Sequence, residues 1–221
     1  MRVALWVAAI VGGAATASGA QGVDRTIDRA VSEWAKVRTL RATFEQSIIN
    51  PLTGSAMPSK GEYQQRKPDL LAVNFSEPKG DRIVADGKFV WVFLQSATPG
   101  QVMKMTYEDA GAQNTDLIGQ FLDAPRSKYD IKDNGTEALG DRVTRVLTLV
   151  AKPGQDLPFI RAKVWIDTTD AMIRQFESTE ATGLSRKVHL LTIAPNATVD
   201  ASAFAFKVPQ GVRVVEPARQ P

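Results

Sequence analysis

Apolar residues first recur at three- and four-residue steps: Ile27, Ala30, Val31, Trp34, Val37 and Leu40 fall on one stripe, with Asp24 placed to cap it. This predicts one amphipathic helix over 24–38. Beyond it the period changes to two. Strands are predicted over 40–49, 61–65, 70–75, 89–94, 102–107, 143–150, 160–167, 172–178 and 187–193, with a last one at 204–208. Turn-rich stretches separate them, among them Asn50-Pro51-Leu52-Thr53-Gly54, Ala85-Asp86-Gly87-Lys88 and Asp133-Asn134-Gly135. One early helix followed by many strands with short connections predicts an antiparallel meander, curled into a barrel or a strongly bent sheet.

Two departures from simple alternation bear on function. In 160–167 one face is apolar (Ile160, Ala162, Val164, Ile166) and the other mostly polar, the pattern of a strand with one wet face. In 89–94 both faces are apolar: Phe89, Trp91 and Phe93 on one, Val90, Val92 and Leu94 on the other. Such a strand needs a cover on each side: both faces are plain core, as apolar strands usually are, or one is covered by helix 24–38 and the other by a second helix or an apolar ligand. The second departure is 111–124, where Leu117, Ile118, Phe121 and Leu122 form a short helical stripe in mid-sheet with Thr115 or Asp116 as cap. Shared spacing also groups Leu71, Val73 and Phe75 with Trp91 and Phe93 as the expected wall of an apolar cavity.

Composition narrows the class. The 221 residues, 43% hydrophobic and 23% charged, suffice for a single domain with a core. A net charge of +3 gives no ground for a nucleic-acid partner. The absence of cysteine removes disulfides, thiolate metal sites, cysteine nucleophiles and lipid attachment through an N-terminal cysteine. Met1-Arg2, the apolar run Val3–Val11 and the small residues up to Ala20 read as a secretory signal, cleaved after Ala17 or Ala20. The expected product, 21–221, is then a soluble protein beyond the inner membrane, because no later stretch is long enough to span.

Catalytic chemistry is sparse. The single histidine, His189, lies inside a predicted strand without an acidic partner in sequence, and reads as structural. There is no phosphate loop, dinucleotide glycine fingerprint, nucleophile elbow or zinc motif. Asp81, Asp86, Glu108 and Asp109 fall at predicted turns and strand ends, where solvated acids are expected. The reading is therefore a non-enzymatic binder of something apolar, with no metal and no cofactor.

A set of ordered residues carries a family likeness. Phe44-Glu45-Gln46, Gly61-Glu62-Tyr63 leading to Lys67-Pro68, Pro78, Ile83-Val84-Ala85-Asp86-Gly87 with Trp91 beyond, and Phe204-x-Phe206-x-x-Pro209-x-Gly211-Val212 together resemble the LolA family of periplasmic lipoprotein carriers. The resemblance implies a mainly β fold with α, an incomplete antiparallel β-barrel or curved sheet covered by an N-terminal helix and a short helical lid. It implies a monomer that binds acylated lipoproteins by their acyl chains, receiving them from an inner-membrane lipoprotein-releasing ABC transporter and passing them to an outer-membrane lipoprotein receptor. Leu117, Ile118, Phe121 and Leu122 become the lid. The family's lid-holding arginine directly precedes the proline; here Lys67 stands there, with Arg66 one residue earlier and, on a strand, pointing to the opposite face. A lipid-binding sensor of the same fold that controls a partner is the alternative.

Overall fold

The computed structural model describes the backbone of residues 15–110 and 116–217, and side chains from Arg25 onward within those ranges. The chain begins with α1 (Ala15–Ala35) and continues as β1 (Thr39–Ile49), β2 (Ala56–Arg66), β3 (Leu70–Glu77), β4 (Arg82–Asp86), β5 (Phe89–Phe93) and β6 (Gln101–Thr106). Three single-turn helices follow, α2 (Tyr107–Ala110), α3 (Gly119–Leu122) and α4 (Pro125–Lys128). The remainder is β7 (Tyr129–Leu139), β8 (Arg142–Ala151), β9 (Arg161–Asp167), β10 (Ile173–Thr179), β11 (Ser185–Pro195) and β12 (Arg213–Val215). All twelve strands form one open curved sheet in the order β12-β6-β5-β4-β3-β2-β1-β11-β10-β9-β8-β7. Neighbours are antiparallel except for β12, which runs parallel to β6.

One face of the sheet is covered by α1 and α3. Ile27, Ala30 and Trp34 of α1, with Val37 and Leu40 just beyond it, are all buried there, as the stripe requires. Within the described residues α1 runs from Ala15, so Asp24 lies inside the helix rather than at its cap. Residues 1–14 of the expected signal lie outside the described residues. The sheet's two halves meet at β1–β11, where Leu40, Ala42 and Phe44 point inward together with Val188 and Leu190.

Three expectations need correction. The segment Asp133-Asn134-Gly135 is not a turn between elements: β7 runs through it, absorbing the extra residue in a register shift between Asp133 and Thr136. The short strand β4, flanked by Asp81 and Asp86, went unforeseen. The final strand is 213–215 and not 204–208, because Phe204 closes a 3-10 turn over 201–204 whose start is capped by Asp200 Oδ1 accepting from Ser202 N (2.8 Å).

Candidate acyl-binding face and its lid

The inner wall follows from strand register. Leu71 pairs with Ala85, and Ala85 with Val90; Val73 pairs with Ile83, and Ile83 with Val92. These residues, with Phe75, Met105 and Phe44, make one apolar surface. Phe44 and Phe75 meet edge to face at 5.7 Å. Leu71, Val73 and Phe75 thus lie on the inner face as the spacing predicts.

Trp91 and Phe93 do not. They alternate with Val90 and Val92, so when the valines point inward the aromatic pair must point outward. The second cover demanded by β5 is neither a helix nor a ligand. It is the chain's own tail: Phe206 stacks on Trp91 at 5.4 Å with ring planes 21° apart and meets Phe93 at 5.7 Å. Trp91 Nε1 also donates to Asp86 Oδ2 (2.8 Å), and Asp86 Oδ1 accepts from the backbone of Lys88 and Phe89. Asp81 is 4% exposed, not solvated, and is consumed by Ser96, which donates through its backbone N–H and its hydroxyl. These acids are turn staples. Among the described residues no group of histidine and acidic side chains is arranged to hold a metal.

The lid segment packs its stripe against the inner face. Ile118, Phe121 and Leu122 are buried and Leu117 partly so. Phe121, fully buried, lies 4.8 Å from the ring of Phe176 and 5.2 Å from that of Phe159, which in turn stacks on Tyr129. The polar residues inside this stripe have local work. Asp116 Oδ1 accepts from the backbone of Gly119 (2.8 Å) and Ile118 (3.3 Å), holding the start of α3. A Cβ on Gly119 would collide with Asp116 Oδ2, so the glycine is what lets the carboxylate lie there. Gln120 Nε2 donates to Leu117 O (2.8 Å).

Two tyrosines of the sheet reach the same segment. Tyr63 Oη accepts from Leu117 N (3.3 Å), and Tyr129 Oη donates to Gln120 O (2.9 Å). Burial, reinforced by Asp116, holds the Tyr63 phenol well above its ordinary range; burial and then Asp123 push Tyr129 up to about 12. Both therefore stay protonated and neutral at any physiological pH. Sequence reasoning passed over both, although Tyr63 stands in the Gly61-Glu62-Tyr63 signature: a lone tyrosine in an alternating strand reads as core.

Lys67 and Arg66 point to opposite sides, as a strand dictates. Lys67 Nζ donates to Trp34 O (2.9 Å) and lies over the Trp34 ring, so it holds the end of α1 rather than a lid carbonyl; its link to the lid is the field of Asp116. Burial lowers its pKa, against that field. Arg66 instead donates to Val199 O (2.7 Å) and lies over Phe204, fastening the tail to the outer face. Beside Lys67 a cleft of ≈ 700 Å³ runs between α1 and the lid, lined by Val31, Trp34, Gly119, Gln120 and Leu122 among others.

Residues 35–207 match the family described as Outer membrane lipoprotein carrier protein LolA. The chain belongs to the LolA family. It is 28% identical over 178 residues to an outer-membrane lipoprotein carrier protein of Pectobacterium carotovorum, covering 80% of this chain and 81% of that protein. A protein of the same name from Proteus mirabilis is 28% identical over 184 residues, 81% and 82% of the two chains. In fold, the chain is similar to an uncharacterised conserved protein of Thermus thermophilus, with a TM-score of 0.55 at 14% identity, covering 89% of this chain and 100% of the other. The LolA-family curved sheet is thus the frame of the candidate site. Among the described residues no helix is long and apolar enough to cross a membrane.

Proposed function

We propose that this LolA-family chain is a soluble periplasmic carrier. In this reading residues 1–20 are a cleaved signal and the mature protein is a single domain. It takes the acyl chains of lipoproteins from an inner-membrane releasing ABC transporter and yields them to an outer-membrane receptor. The observation that carries the reading is the lid: one turn of helix, Gly119–Leu122, buries Phe121 and Leu122 against an apolar inner wall while few hydrogen bonds tie its backbone to the sheet. Lifting it uncovers contiguous apolar surface that an acyl chain refills at roughly 0.8 kcal/mol per methylene. Leu71, Val73 and Phe75 are the wall contacts expected for the chains, and Leu117, Ile118, Phe121 and Leu122 the groups displaced. Trp91 and Phe93 have no such role in this reading.

The reading is tested with a fluorescent fatty-acyl probe and the purified mature protein. Saturable binding, displaced by a triacylated lipopeptide and weakened by Val73→Asp, is expected. Absence of saturable binding would sink the carrier reading.

A further inference from the structure

The β1–β2 hairpin projects a leucine into water. Leu52, at its tip, is 93% exposed, and Ile49 and Met57 on its shoulders are 43% and 51% exposed. Residues 46–59 contain no charged side chain, in a protein where nearly one residue in four is charged. Apolar side chains in water are usually scattered singly among polar neighbours, whereas this is a projecting, uncharged tip with its bulkiest apolar side chain at the apex.

The tip is also stiff. Asn50 N donates to Ser55 O (3.0 Å), Gly54 N to Asn50 O (2.8 Å) and Leu52 N to Asn50 Oδ1 (2.9 Å), with Gly54 at φ +66° closing the turn. Pro51 braces against the β10–β11 turn, where a Cβ on Gly183 would lie 3.3 Å from Pro51 Cβ. Much of the tip's backbone is therefore bonded internally, which is the condition for moving backbone out of water. The order of the turn is set on folding and does not depend on contact with a partner.

We propose that the Leu52 tip inserts into the interfacial region of a lipid bilayer and seats the protein there reversibly. A convex apex whose own residues carry no charge, with the nearest charged side chains set back on β11 (Arg186 opposite Ile48, Lys187 opposite Ser47), suits a fluid apolar phase, which needs no shape complement; a protein partner would need a matching pocket and would be expected to read polar groups around the rim. One leucine with two flanking apolar side chains gives attachment weak enough to release. Contact of this kind follows from the tip alone, whatever the inner face carries.

The chain has no cysteine, so Leu52→Cys carries a single environment-sensitive fluorophore, and Asp141→Cys, on the exposed β7–β8 turn, serves as the control. With protein-free vesicles of phosphatidylethanolamine and phosphatidylglycerol, the label at 52 shifts to the blue and is quenched by brominated lipid, and the label at 141 does neither. Unlabelled Leu52→Glu co-sediments with these vesicles about tenfold less than the parent, while Leu52→Phe is retained. Both variants keep the parent melting temperature and acyl-probe binding, which separates failure at the tip from failure of the carrier reading. A label at 52 that ignores vesicles, or Leu52→Glu sedimenting like the parent, overturns the proposal. So does a shift seen with protein-containing outer-membrane fragments and not with protein-free vesicles, since that assigns the tip to a protein partner.

Discussion

The ammonium of Lys67 donates to the carbonyl oxygen of Trp34 at 2.9 Å and lies 4.0 Å from the centroid of the same residue's indole, so one side chain grips the last turn of α1 from two directions. A cation at a helix C-terminus satisfies a carbonyl and opposes the negative end of the dipole. Because α1 packs against α3 over the inner face, the proposed carrier reading makes this grip a control on how firmly the cover closes at the 700 Å³ cleft.

Replacing Lys67 by Leu should therefore cost about 1–2 kcal/mol of stability and speed acyl-probe exchange, since the end of α1 is freed and Asp116 loses the opposing charge. Arg66→Leu should lower the melting temperature by loosening the tail from Val199 and Phe204, leaving exchange unchanged. Thermal melts beside stopped-flow probe exchange check both. The reverse assignment of effects would show that the tail, and not α1, governs access.

At the other end of the interior, Asp167 ties the β9–β10 turn to β8. Its buried carboxylate accepts from Arg174 Nε (3.0 Å), Arg142 (3.4 Å) and Thr169 N (2.7 Å), while Arg29 of α1 donates to Thr168 O (2.8 Å). Burial pushes the carboxyl pKa up, but the N–H of Thr169 and the two guanidinium groups outweigh it and leave it below the ordinary carboxylate value. A lowered folded-state value contributes stability that is fully present above the unfolded value and lost as pH falls through the folded one. Asp167→Asn should cost about 3 kcal/mol at pH 7 and flatten part of the acid limb below about pH 4. Chemical denaturation of both proteins from neutral pH down through that limb reads this directly.

Phe206 offers a simpler check. Its removal as Phe206→Ala exposes the Trp91 face and deletes two ring contacts on a half-buried site. Tryptophan emission should move to the red and stability fall by about 1–2 kcal/mol, with acyl-probe affinity unchanged because the proposed carrier reading places acyl chains on the opposite, inner face. A loss of probe binding would return Trp91 and Phe93 to the cavity.

How legible these features were depended on the range of the interaction. The period-two strands and the α1 stripe are local patterns, and the sheet respects them: Leu71, Val73 and Phe75 share a face because alternation leaves no choice. Alternation could say that Trp91 and Phe93 share a face, and could not say which one, since that depends on a tail more than a hundred residues later. The Asn134-Gly135 bulge reads as a turn for the same reason: only pairing with β8 shows that the strand continues. The roles of Asp116, Gly119 and Gln120 in this segment are equally a matter of three-dimensional fit: the carboxylate lies close against Gly119, and the Gln120 side chain donates to Leu117 O.

The lid itself gives the sharpest forecast. A single helical turn has almost no intrinsic stability, so α3 persists by what it buries, and Phe121 carries most of that: a fully buried ring between Phe159 and Phe176. Hydrogen exchange should accordingly find residues 117–122 opening before β8 and β9, whose amides sit in mid-sheet ladders. Phe121→Ala should cost about 3–5 kcal/mol in the empty protein, yet raise affinity for a short acyl probe, because the guest no longer has to displace the ring and can fill the space it leaves. The opposing signs matter. A purely structural phenylalanine loses stability and binding together, whereas a plug loses stability and gains binding. Protection of 117–122 equal to that of β8, together with weaker probe binding in Phe121→Ala, would make this segment a fixed part of the core and leave the inner face no route for a guest.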